Sequence, residues 1–250
     1  MILLNSFDIM TNGNYRLYVQ RTDGSAPVLV GEGAGTGFSA DGKWVTAVDP
    51  VNSERASVIP TGVGETKTLQ APTGLQYLGL ALLPDGKRLL ISVVGPGASP
   101  HCALQDIESG AVSPVGPASR YVPVFAGRMT PGPSPDGKYC VLTEDKNHYW
   151  LQPLTGVDAR EIQGINPGDL LLEWHNDSNN LFVSRAVRSD FEIYNLNLTT
   201  GERKLWTRFS PADKTAIAGN TWAVITPDGA HYGYLVQRLY SILFLAEGLR

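Results

Sequence analysis

Basic residues, cysteine and histidine are all scarce in this 250-residue chain, and each shortage closes off a class of function. There are 20 Lys and Arg against 24 Asp and Glu, a formal net charge of -4 at pH 7. No basic run breaks that balance, so the electrostatic footprint of a nucleic-acid binder is missing. The two cysteines, Cys102 and Cys140, have no C-x-x-C spacing. They read as small buried apolar side chains rather than zinc ligands. No stretch approaches the roughly 18 consecutive apolar residues of a membrane helix. The opening MILLNSFDIM lacks both the basic start and the long apolar run of a signal peptide. Helical periodicity is absent too, because no window of about eleven residues repeats apolar positions at i, i+3, i+4 and i+7.

What is present is apolar material, 42% of residues, punctuated by 27 Gly and 17 Pro. That combination points to an all-β chain with many turns. One hairpin recurs along it: FSADGKWVTAV (38–48), LLPDGKRLLISV (82–93), PSPDGKYCVLT (133–143), the degenerate EWHNDSNNLFVSR (173–185) and VITPDGAHYGYLV (224–236). The turn residues are Asp41 and Gly42, Asp85 and Gly86, Asp136 and Gly137, and Asp228 and Gly229. The glycines Gly42, Gly86, Gly137 and Gly229 stand 44, 51 and 92 residues apart, the last spacing being two periods. A second turn falls in each period at Asp23-Gly24, Thr61-Gly62, Ser109-Gly110, Thr155-Gly156 and Thr200-Gly201.

Each period of about 40 to 50 residues therefore carries four strands, as a β-propeller blade does. Asp-Gly suits two-residue hairpin turns of the primed types, which need positive φ. The expected fold is an all-β propeller of four-stranded antiparallel blades forming one domain. Its blades fall near 1–33 (partial), 34–72, 73–117, 118–166, 167–213 and 214–250 (partial). Six blades is the preferred count, with five as the alternative if the two partial ends merge. The front segments ILLNSFD, YRLYVQRTDG and APVLVGEG read as second, third and fourth strands without a first. The back segments WAVITPDG, YGYLVQ and YSILFLAEGL read as first, second and third strands.

The SPDGK of 134–138, SADGKW of 39–44, LPDGK of 83–87 and TPDG of 226–229 resemble the repeats of TolB-like, WD-repeat-like six-bladed propellers. The resemblance spans nearly the whole chain. It is closest to bacterial propellers found carboxy-terminal to a serine/threonine kinase or a DNA-binding domain, through VQRTDGSAPVLVGEG (19–33), IPTGVGE (59–65) and LYSILFLAEGL (239–249). The missing first strand makes Met1 read as an internal start. The resemblance implies a piece of a larger signalling or cell-envelope protein. Such a piece is periplasmic or extracellular if it belongs to a membrane-anchored sensor, and cytoplasmic as the chain stands. No kinase motif precedes the propeller, so no kinase activity carries over.

Candidate chemistry is thin, and no cofactor is expected. GFSAD (37–41) and GPSPD (132–136) fall short of a serine-hydrolase elbow, which needs a strand-to-helix turn. Gly35-x-Gly37-x-x-Ala40 matches a loose dinucleotide fingerprint, yet a hairpin follows it where a helix amino terminus is required. The histidines His101, His148, His175 and His231 sit in different periods. Glu173, Asp169 and Asn220 are the candidates for a channel metal in a lactonase-like arrangement, which scattered acids on blade edges explain as well. Trp44, Trp174, Trp222, Trp150 and Trp206 read first as packing between blades.

Binding is expected elsewhere. In a propeller the two regular turns of each blade share one face, and the other connections share the opposite one. Those others vary: DPVNSE (49–54), GPGASP (95–100), AVRSD (186–190), FSPADKTAIAGN (209–220) and the long GPASRYVPVFAGRMTPG (116–132). Variable loops on a rigid scaffold are where recognition concentrates. Arg120, Tyr121, Phe125, Arg128, Trp174, Arg185 and Arg188 are the expected contacts for another protein or a small ligand. The leading expectation is a non-enzymatic interaction or sensing module. The alternative is a metal-dependent propeller hydrolase or lyase, which calls for clustered carboxylates in the channel.

Overall fold

The repeated hairpin shows how local chemistry sets this architecture. Ser39 N–H donates to the Trp44 carbonyl (2.9 Å) and Gly42 N–H to the Ser39 carbonyl (2.9 Å), so a four-residue loop, 40–43, joins the strands. The two-residue primed turn expected from Asp-Gly is therefore replaced by a longer loop built on an ordinary turn. Gly42 has φ 70° and Asp41 is not among the positive-φ residues. The aspartate works through its side chain: Asp41 Oδ1 accepts Ser39 Oγ–H (2.6 Å) and Lys43 N–H (3.0 Å), and Ser39 Oγ accepts Trp44 N–H (3.0 Å). Ser134 and Asp136 repeat these bonds, as do Thr226 and Asp228. In the degenerate copy Ser178 takes the glycine's place at φ 56°. A Cβ on Gly137 would meet nothing closer than Pro84 Cδ at 3.5 Å. Gly137→Ala should thus cost only the left-handed backbone penalty, about 1 kcal/mol, read as a lowered urea midpoint with an unchanged slope.

The computed structural model describes residues 1–7, 15–125, 128–145, 147–156, 158–187, 190–217, 222–236 and 238–240, with Phe7, Phe125, Arg128 and Trp222 described by backbone alone. Among them every regular element is a strand and every pairing is antiparallel. The first sheet holds β1 (Ile2–Phe7), β2 (Tyr15–Gln20) and β3 (Val28–Glu32). The second holds β4 (Ala34–Phe38), β5 (Trp44–Val48), β6 (Arg55–Pro60) and β7 (Lys67–Gln70). The third holds β8 (Gln76–Leu82), β9 (Arg88–Val94), β10 (His101–Asp106) and β11 (Val112–Pro114). A short hairpin of β12 (Val124–Phe125) and β13 (Arg128–Met129) precedes the fourth sheet of β14 (Tyr139–Thr143), β15 (Tyr149–Pro153) and β16 (Arg160–Glu161). The fifth holds β17 (Leu170–Trp174), β18 (Asn180–Val187), β19 (Asp190–Asn197) and β20 (Arg203–Phe209). A hairpin of β21 (Trp222–Ile225) and β22 (Tyr232–Leu235) follows.

The fold is a β-propeller, with successive sheets set around a common axis. Among the described residues five sheets of three or four strands make five blades, the count of the five-blade alternative rather than the preferred six. The expected sixth blade is represented among the described residues by β21 and β22, and its expected third strand (YSILFLAEGL) lies almost entirely outside them. In the second and third blades the first strand is innermost: β4 packs on β8, and β13 reaches both. Bulges leave Thr36, Leu78 and Leu172 unpaired in the innermost strands of the three four-stranded blades.

The core is a series of layers between blades. In β9, Leu89, Ile91 and Val93 face the second blade while Leu90 faces the fourth. Burial on both faces explains why RLLISVV is apolar without alternation. Cys102 and Cys140 are free and buried together in the layer between the third and fourth blades. Burial and the neighbouring Cys102 push the Cys140 thiol's pKa well up. Thr36 bridges the second and third blades, donating to the Leu80 carbonyl (2.7 Å) beside Thr46 Oγ1 (2.7 Å).

Candidate interaction face

The connections of the fourth and fifth blades gather the charged and aromatic side chains that other parts of the wheel keep apart. The segment leading into the fourth blade is tied to the end of β14, because Tyr121 and Thr143 exchange backbone hydrogen bonds of 3.0 and 2.8 Å. That pairing sets Arg120 between Glu144, in the next connection, and Trp150, in β15. Its Nε donates to Glu144 Oε1 (2.7 Å), and its guanidinium carbon lies 3.8 Å from the centre of the Trp150 ring. A cation over an indole face is stabilised by the ring quadrupole.

Beside Trp150, with ring centres 6.2 Å apart, His148 faces Asp145 at 2.9 Å. The His148 ring and the backbone N–H groups of Asn147 and His148 hold the Asp145 pKa down to about 2, and the same carboxylate raises that of His148. Tyr149 links this group to the fifth blade. Burial, then the charges of Asp145, Tyr121 and Asp169, raise its hydroxyl pKa.

In the fifth blade Asp169, whose side chain is fully buried, accepts from Arg185 Nε (3.1 Å) and Arg203 Nη1 (2.6 Å). It also accepts the Asn166 N–H (2.8 Å). Arg203 stacks over Tyr194 at 4.3 Å. Arg185, Glu192 and Arg208 face one another across β18, β19 and β20. Glu192 pairs with Arg208 and accepts the Tyr194 hydroxyl, which lowers its pKa. Among the described residues here each of Arg120, Arg185, Arg203 and Arg208 is paired with a carboxylate. Arg185 keeps 35% of its side chain exposed and Arg208 keeps 60%. On the same side of the wheel, Tyr15, Glu32, Asp49 and Ser57 line a cleft of about 280 Å³ between the first two blades.

The expected contacts separate accordingly. Arg120 and Tyr121 sit together at the entry to the fourth blade, and Arg185 is held by Asp169 in the fifth. Phe125 and Arg128 lie on the backbone of the β12–β13 hairpin, with side chains outside the described residues, as are Arg188 and Asn220 entirely. Trp174 belongs to the core: it is fully buried, and its indole N–H donates to the Gly132 carbonyl (2.8 Å). Asp41, Asp85 and Asp136 occupy the regular turns on the opposite face. Glu144, Trp150, Arg203 and Glu192 were not expected at a site. The only sequence signal for Glu144, Trp150 and Glu192 is adjacency to irregular connections, and Arg203, which follows the regular Thr200-Gly201 turn, has none.

The inner strands differ in chemistry. Their part-exposed positions carry Ala34, Gly37, Phe38, Leu78, Ala81, Leu170 and Val224, with the amide of Gln76 and the carboxylate of Glu173 among them. Glu173 Oε1 accepts the Trp174 N–H (3.0 Å). Among the described residues no three His, Cys, Asp or Glu side chains stand close enough to hold a metal ion.

No protein family matches the chain, and no curated protein does. Solved structures do. TolB from Acinetobacter baumannii matches 89% of this chain and 60% of its own, with TM-score 0.60 and 17% identity. An oligogalacturonate lyase from Vibrio parahaemolyticus matches 91% of this chain and 65% of its own, with TM-score 0.58 and 15% identity. A prolyl endopeptidase structure matches 94% of this chain and 37% of its own, with TM-score 0.52 and 16% identity. This chain therefore spans less than two thirds of the length of these three structures. At these identities the likeness is one of fold, shared by enzymes and TolB alike.

Proposed function

We propose that the chain is a non-enzymatic interaction or ligand-sensing propeller, part of a larger bacterial signalling or cell-envelope protein. It meets its partner through the irregular connections of the fourth and fifth blades. One observation carries this reading: Arg120, on the segment leading into the fourth blade, meets Glu144 from the next connection and Trp150 at the start of β15, with His148 beside that ring. Arginine and tryptophan at the centre of a patch are the residue types that dominate binding energy in protein interfaces. Inner strands whose part-exposed positions are mostly small or apolar, with Gln76 and Glu173 as the polar exceptions, support a binding role over channel chemistry. The resemblance to propellers that follow kinase or DNA-binding domains supports membership in a larger protein.

A photo-crosslinking residue at Tyr121, compared with one at Lys43 on the regular-turn face, tests the assignment. Capture of a defined species at position 121, lost in Arg120→Ala and absent at position 43, is the expected result. Equal capture at both positions would refute it. So would turnover of a substrate by the purified chain with a divalent cation, the behaviour of a propeller hydrolase or lyase.

A further inference from the structure

The layer between the third and fourth blades carries polar chemistry that the loop face does not use. Cys102 lies in β10 of the third blade and Cys140 in β14 of the fourth, and both belong to one buried cluster with Leu90, Leu104 and Leu142. They are 2% and 0% exposed. The two thiols are neighbours across the blade boundary, close enough to share a hydrogen bond. Both are free, and they are the only cysteines in the chain.

The strand register adds a second observation. Cys102 stands opposite Ser92 in β9, and Cys140 stands opposite Gln152 in β15. Residues directly opposite in an antiparallel pair share a face, so Ser92 and Gln152 point into the same layer as the thiols. Ser92 Oγ and Gln152 Oε1 are two of the three buried side-chain polar atoms that lack a hydrogen-bond partner among the described residues. Groups left unsatisfied in a closed layer regain water when it parts, which lowers the cost of separating these two blades. The closed layer is inert, because burial and Cys102 hold the Cys140 thiol protonated and the thiolate is the nucleophile. An opened layer exposes both thiols together.

We propose that Cys102 and Cys140 form a reversible disulfide that clamps the third blade to the fourth, with a low-molecular-weight disulfide, RSSR, as the oxidant. One cysteine thiolate attacks a sulfur of RSSR, so that a mixed disulfide forms, the original S–S bond breaks and one thiolate leaves. The second cysteine then attacks the protein sulfur of that mixed disulfide, forming the bond between Cys102 and Cys140 and releasing the second thiolate. The two cysteine protons end on the two released thiolates, and the two electrons lost by the pair reduce RSSR to two RSH. The bond closes a loop that contains the long connection 116–132, with Arg120 and Tyr121, and so pins both ends of that connection. The clamp does not depend on what the loop face binds, so its failure leaves the reading of that face standing.

The probe is oxidised glutathione, added in excess to the folded chain without denaturant and followed by acid quench, alkylation and mass spectrometry. The monomer should lose two hydrogens, with one bond joining the peptides that contain positions 102 and 140, and dithiothreitol should reverse the change. The thermal midpoint of the oxidised chain should rise by about 5–15 °C, the range for closing a loop of this length in a chain of this size. Cys102→Ala and Cys140→Ala should show no such rise. Four results would overturn the proposal: two alkylatable thiols persisting at equilibrium with the oxidant; stable glutathione adducts in place of the cross-link; disulfides between chains; or a cross-link that lowers the midpoint.

Discussion

Asp169→Ala should destabilise the chain by about 3–5 kcal/mol, the range for breaking a buried ion pair from one side. The carboxylate is fully buried and serves two cations, and the Arg203 side chain is only 14% exposed. Without Asp169, Arg203 keeps its charge in a place where water cannot replace the lost partner. Arg203 also donates to the Gly164 carbonyl (3.3 Å), and Arg185 to that of Pro167 (3.4 Å), so the connection between the fourth and fifth blades loosens as well. Chemical denaturation of Asp169→Ala, Arg203→Met and the double variant reads the effect directly. The double variant should cost clearly less than the sum of the two singles, because neighbours in one network couple. Strict additivity would mean that the pair does not interact.

Trp174→Ala should cost about as much, roughly 3–5 kcal/mol, for the loss of a large core side chain and the cavity it leaves. Trp174 packs with Val141, Leu181, Val183 and Leu196 in the layer between the fourth and fifth blades. Trp174→Phe should cost less, although it strands the Gly132 carbonyl that the indole satisfies. This variant separates a core role from a recognition role. A core tryptophan loses unfolding free energy, whereas a contact residue such as Arg120 loses partner binding at nearly unchanged stability. A small stability loss in Trp174→Ala would return it to the surface.

The scaffold was legible because its punctuation is local. Glycines at 42, 86, 137 and 229 must take a left-handed backbone, and the acceptor three residues before each glycine, or the aspartate just before it, closes the loop. The period follows from their spacing. Loop length was not legible, since Asp-Gly serves two-residue and four-residue loops equally well. On the candidate face, Arg120, Tyr121 and Arg185 could be picked out as charged or aromatic residues in irregular connections. Their partners could not. Arg120 meets Glu144 only because Tyr121 pairs with Thr143 across the entry to the fourth blade, a register that no local pattern encodes. Asp169 looked like a channel ligand for the same reason, until the fold delivered two arginines, 16 and 34 residues further on, to its carboxylate.

The most direct test of the binding face is amide exchange on the full chain, alone and with the partner captured at position 121. The account predicts slowed exchange confined to 115–125, 144–150 and 162–170. Protection centred on the regular turns at 39–43, 84–88 and 134–138, with those connections unchanged, would contradict it.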